Sequence, residues 1–115
     1  MRRPYLLKYP LKAHQEQIQD FLLSHPQGRL LRDAMFSLKT DPRPAHKGFA
    51  EIEPETEVAF LVKHVGIAVD KDTETVLTRY APRCRIEAAG CEIVYDIDDG
   101  QGLIYLFNIQ RAKAL

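Results

Sequence analysis

The residues best equipped for chemistry are Arg83, Arg85 and Glu92. Arginines two apart on a strand project from one face. Two guanidinium groups there can clamp a phosphate through paired hydrogen bonds, and a neighbouring carboxylate can take a proton from a hydroxyl. The same three residues also make an ordinary salt-bridge cluster on a solvent-facing sheet, which needs no function. His46 and Lys47 are adjacent. A histidine there titrates near neutral pH and can shuttle protons, although an exposed loop pair needs no role either. His14, His25 and His64 have no ligand-like spacing with one another or with Cys84 and Cys91, so no metal site is expected. No glycine-rich phosphate loop occurs, and no cofactor is expected.

The stretch that must position the arginines runs from Arg83 to Arg111 and reads as three consecutive strands. Apolar residues fall at alternate positions: Cys84 and Ile86; Cys91, Ile93, Tyr95 and Ile97; Leu103, Tyr105, Phe107 and Ile109. Gly90, Gly100 and Gly102 mark the turns between them. With residues 87–90 as the first connection, Ile86 lies opposite Cys91, Cys84 opposite Ile93, and Arg85 opposite Glu92. The apolar faces then match, leaving one greasy face and one charged face.

Upstream, Tyr5–Tyr9 is a short apolar run between Pro4 and Pro10 and predicts a first strand. Leu11–Leu23 predicts a helix with Ile18, Phe21 and Leu22 on one side. Ser24 and Pro26 suit the start of a second helix, and Leu30, Leu31, Ala34, Met35 and Leu38 form its apolar stripe. The short connection predicts an antiparallel helical hairpin. A loop over 45–49 follows, then a solvated, glutamate-rich turn over 51–57. Further strands are predicted over 58–69 and 75–80. The order predicts an α+β fold, with the helical hairpin packed on one face of an antiparallel sheet and an extra strand pair near 54–82. Those added strands extend the sheet, cover the site or make a homodimer, and the sequence leaves the three open.

The 115 residues suit a single domain, 1–115. Sixteen basic residues balance sixteen acidic ones, which argues against bulk electrostatic capture of nucleic acid while leaving room for a local basic patch. Two cysteines are too few for a disulfide scaffold and are expected as reduced, buried thiols. With no signal peptide and no apolar run of membrane length, a soluble cytoplasmic protein is expected.

The ordered set of Asp41-Pro42, Lys47-Gly48, Arg83-Cys84-Arg85-Ile86, Gly90, Ile93-Val94-Tyr95 and Ile104–Ile109 with Gln110-Arg111 resembles the RelE/ParE superfamily of bacterial toxins. The likeness covers 5–50 and 83–113 and leaves out 54–82. It implies a toxin of a type II toxin–antitoxin pair, partnered by a small antitoxin. In its RelE-like form it is an endoribonuclease that cuts mRNA on the ribosome. Arg83, Arg85, Glu92 and Arg111 would then be the catalytic set, with His46, Lys47 and Lys113 contacting RNA. Two departures matter. Glu92 stands where the family has its catalytic arginine, and the C-terminal aromatic of many such nucleases has no counterpart. The alternative within the same family is a ParE-like, non-catalytic toxin that grips DNA gyrase, or an inactive relative. Outside the family, a small unrelated α+β binding domain stays open.

Overall fold

The computed structural model describes residues 3–52 and 82–112. Within them the chain runs β1 (Leu6–Lys8), α1 (Lys12–Ser24), α2 (Gly28–Ser37), β2 (Ala50–Glu51), β3 (Cys84–Ala88), β4 (Cys91–Asp98) and β5 (Leu103–Arg111). The result is an α+β fold with a five-stranded sheet in the order β1-β5-β4-β3-β2. The strands expected over 58–69 and 75–80 lie outside the described residues.

The sheet is mixed, where an antiparallel one was expected: β1 pairs parallel with β5, Leu6 beside Leu103 and Lys8 beside Tyr105. The two helices between β1 and the meander carry the chain across the sheet, and such a crossover permits parallel pairing. Pro10 follows at once. It has no N–H to give to a ladder, and the chain leaves the sheet there for α1.

The expected face parity of β3 and β4 holds, but their register differs by two residues. Ile86 faces Ile93, Cys84 faces Tyr95 and Ala88 faces Cys91, leaving Ala89-Gly90 as the turn. Both turn residues have positive φ, 51° and 73°, the geometry of a tight hairpin whose twist matches its strands. A connection of two or four residues keeps the same faces together, so parity alone could not choose between them. Arg85 consequently lies opposite Val94, not Glu92.

In β5 the expected face is overturned over the first half. Val94 pairs with Asn108 but Tyr95 pairs with Leu106, so Phe107 is an extra residue, a β-bulge. Ile104 and Leu106, rather than Leu103 and Tyr105, therefore join Ile109 on the helix side. That side forms the core: Ile18, Leu31, Met35 and Leu38 from the helical layer meet Ile86, Ile93, Tyr95, Ile104, Leu106 and Ile109. Leu30 is exposed and takes no part in it. Both helices are as expected to within a turn, but α2 starts at Gly28, after Pro26 rather than around it. The segment expected as a solvated turn begins instead with β2, paired to β3 through Ala50–Arg85 and Glu51–Cys84.

Candidate functional site

The sheet face turned away from the helices carries the charged side chains. In-register residues across β3, β4 and β5 share a face, so this one holds Arg85, Val94 and Asn108 in one row and Glu87, Glu92 and Gln110 in the next. The main-chain N–H of Arg83 donates to the carbonyl of Tyr95, which brings Arg83 beside Asp96 and Tyr105 in a third row.

Glu87 and Glu92 sit directly opposite each other, a like-charge pair that destabilises a sheet unless something intervenes. Arg85 intervenes: its Nη1 lies 2.7 Å from Glu87 Oε1 and 3.5 Å from Glu92 Oε1. Gln110 Nε2 donates to the other Glu92 oxygen at 2.9 Å. Both Glu92 oxygens are thereby engaged by neighbouring side chains.

Arg83 Nη1 lies 3.1 Å from Asp96 Oδ2, and the main-chain N–H of Ile97 donates to Asp96 Oδ1. Asp96 is buried and Arg83 half-exposed. Burial pushes the Asp96 carboxyl above its ordinary value, with Arg83 only partly offsetting it. The pair separates two clefts of about 240 Å³ each. One is bordered by Arg43, Glu51 and Cys84, the other by Asp98, Asp99 and Gln101. Arg43 donates to both oxygens of Asp99, whose Oδ1 also accepts the hydroxyl of Tyr5. Burial raises the Cys84 thiol to about 11, so it stays protonated at neutral pH.

The Asp96 shift sets a pH dependence that can be signed. A carboxyl whose folded value is raised contributes stability below its ordinary value of 3.8 and loses it as pH rises through the folded value. Asp96→Asn removes that slope. It is expected to leave stability at pH 7 within about 1 kcal/mol of the parent, because asparagine still offers an acceptor to the Ile97 N–H and the half-exposed Arg83 is solvated when its partner is lost. Urea denaturation midpoints of the two proteins between about pH 3.5 and 7 check this; parallel profiles would overturn it.

The sequence-derived set is only partly assembled. Arg83, Arg85 and Glu92 share the polar face. Arg111 does not: it pairs with Cys91 and so belongs to the helix-side face. There Cys91 Sγ lies 3.5 Å from His25 Nε2, while His25 Nδ1 accepts the Gln27 N–H. A neutral His25 therefore carries its proton on Nε2 and offers it to the sulfur. Burial nonetheless raises the Cys91 thiol, so it is no activated nucleophile. The loop holding His46 and Lys47 runs along β3, the Lys47 carbonyl accepting the Glu87 N–H. His46 is exposed, but the Lys47 ammonium is turned to Ser37 Oγ at 2.7 Å. Lys113 lies outside the described residues. Asp96 escaped sequence reading because an ion pair across the sheet shows only once the register is known, and Arg43 because its pair with Asp99 joins a loop to a turn far away in sequence. The spacing of Asp96 from Ile93 and Tyr95 did mark it as the polar side of a strand.

Among the described residues no three histidine, cysteine, aspartate or glutamate side chains are grouped to hold a metal ion. No described helix is long and apolar enough to cross a membrane. No protein-family model matches the chain, and no curated protein or solved structure shows significant similarity to it.

Proposed function

We propose that the chain is the toxin of a type II toxin–antitoxin pair, with its helices as an antiparallel hairpin in a RelE/ParE-like variant of the α+β fold, and that it acts by gripping a protein target. What supports a protein over RNA is the pairing of charge on the polar face. Arg83 and Arg85 there meet three carboxylates, Asp96, Glu87 and Glu92. Arg111 belongs to the other face and Lys47 is held by Ser37. RNA brings a negative charge with every nucleotide, and cleavage adds charge to the phosphorane, so a nuclease face needs cations left over. A protein surface needs none and is well served by a mixed, hydrogen-bonded patch. DNA gyrase is the target supplied by the ParE-like side of the resemblance.

The second reading, a ribosome-dependent mRNA endonuclease, is favoured by one observation: Asp96, a buried carboxyl with a raised pKa, beside Arg83 in a cleft. In either case the antitoxin has a place to dock. Tyr9, Leu22, Leu23, Met35 and Phe36 line a groove of about 380 Å³ with Arg32 at its margin. Leu23 is 81% and Phe36 50% exposed, a cost in water that a helix laid in the groove removes.

Tightly controlled expression in bacteria tests the proposal. Growth arrest with translated messages intact is the expected result, and message cleavage during arrest would transfer the case to the nuclease. Unimpeded growth with folded, soluble protein confirmed would end both.

A further inference from the structure

The structure assigns α1 the role of an acid-releasable cover over an open edge of β5, with His14 as the latch. β5 is paired along one side by β4, but on the other side β1 reaches only from Leu103 to Tyr105. Beyond Tyr105 that edge would present bare main-chain groups, which proteins do not leave open. Side chains of α1 occupy it instead. His14 Nδ1 donates to the Phe107 carbonyl at 2.8 Å. Gln17 Nε2 donates to the Ile109 carbonyl at 2.9 Å, and the Ile109 N–H returns a bond to Gln17 Oε1 at 3.3 Å. The helix thus does the work of a further strand, and it does so where the bulge at Phe107 has interrupted regular pairing.

The latch is sensitive to acid because of what the other imidazole nitrogen meets. His14 is fully buried, its ring edge-on to Phe107 at 5.1 Å, and Nε2 has no hydrogen-bond partner among the described residues. A neutral ring tolerates this, since Nε2 is then only an unused acceptor. A protonated ring places an N–H and a charge there with nothing to receive them. Among the described residues no charge relieves it. On α1 its neighbours toward the sheet are Gln17 and Ile18, on β5 Phe107 and Ile109. Lys12 and Glu16 are exposed and pair with each other at 3.9 Å. Burial lowers the His14 pKa from its ordinary 6.5, so acidification from that value down to the lowered one favours the released state.

Hydrogen exchange of the Ile109 amide reads the latch directly, because that N–H is bonded to Gln17. Its protection factor, corrected for the intrinsic rate, is expected to fall at least about tenfold between about pH 7.5 and 5 while the β3–β4 amides keep theirs. His14→Asn retains a donor near the Nδ1 position without a titrating ring, and its Ile109 protection is expected to stay level with pH. In the parent protein the fall should begin near the ordinary imidazole value of 6.5 and level off where the His14 ring resonances titrate, a comparison that needs no variant to fold. Constant Ile109 protection, an equal fall in His14→Asn, or a fall that tracks another histidine would each overturn the latch.

Discussion

Replacing Gly28 with alanine is expected to lower folding stability by about 3 kcal/mol or more, the upper range for overpacking. Gly28 is the buried first residue of α2, reached from α1 through His25–Gln27. A Cβ built on it would meet the Leu22 carbonyl oxygen at 2.0 Å and the Leu22 carbonyl carbon at 3.0 Å. Both are backbone atoms of the last turns of α1, so no rotamer change relieves the clash. The helices must separate, and Ile18, Leu31 and Met35 lose core contact as they do. Gly90→Ala is the control. Its Cβ meets nothing within 4 Å, but its φ of 73° is unfavourable for alanine, so about 1 kcal/mol is expected. Urea denaturation of both variants checks the order, and a Gly28→Ala loss no greater than the control would show that the inter-helix turn yields more easily than its backbone contacts indicate.

Tyr95 is the second position of large effect. Its ring is fully buried in the core, and its hydroxyl donates to the Pro42 carbonyl at 2.6 Å, fastening the segment after α2 to the middle of the sheet. Tyr95→Ala removes both contributions and is expected to cost about 3–5 kcal/mol. Tyr95→Phe keeps the packing, leaves the Pro42 carbonyl without this donor, and should cost about 1–2 kcal/mol. Near-equal losses in the two variants would mean that the hydroxyl, not the ring, dominates. Burial raises the phenol well above its usual range, so the bond persists at any ordinary pH.

Local patterning carried the elements much further than it carried their partners. Ile18, Leu31, Ala34, Met35 and Leu38 are legible as helical stripes because a 3.6-residue period needs only neighbouring residues to be seen. The alternation in 84–109 marks three strands for the same reason. The partnership of β1 with β5 is invisible in Tyr5–Tyr9, since a three-residue strand carries no mark of what lies beside it or in which direction. Phe107 looks like one more alternating apolar residue, yet as a bulge it moves Ile104 and Leu106 to the core side. The site divides likewise. Arg83, Arg85 and Glu92 could be placed on one face by parity. That Arg85 bridges Glu87 to Glu92, and that Arg83 meets Asp96, depends on a register that two turn lengths satisfy equally.

The parallel pairing of β1 with β5 also bears on the order in which a ribosome delivers the chain. β1, α1 and β4 all rest against β5, the last-made of the described strands. Until β5 has emerged, the first strand and first helix lack the strand they rest against, and α1 has only α2 to meet. Contacts this distant in sequence form slowly, and the waiting segments expose apolar side chains meanwhile. No nascent fragment ending before β5 can hold the polar face in its finished geometry, because Tyr105, Asn108 and Gln110, one member of each of its three rows of cross-strand neighbours, come from β5.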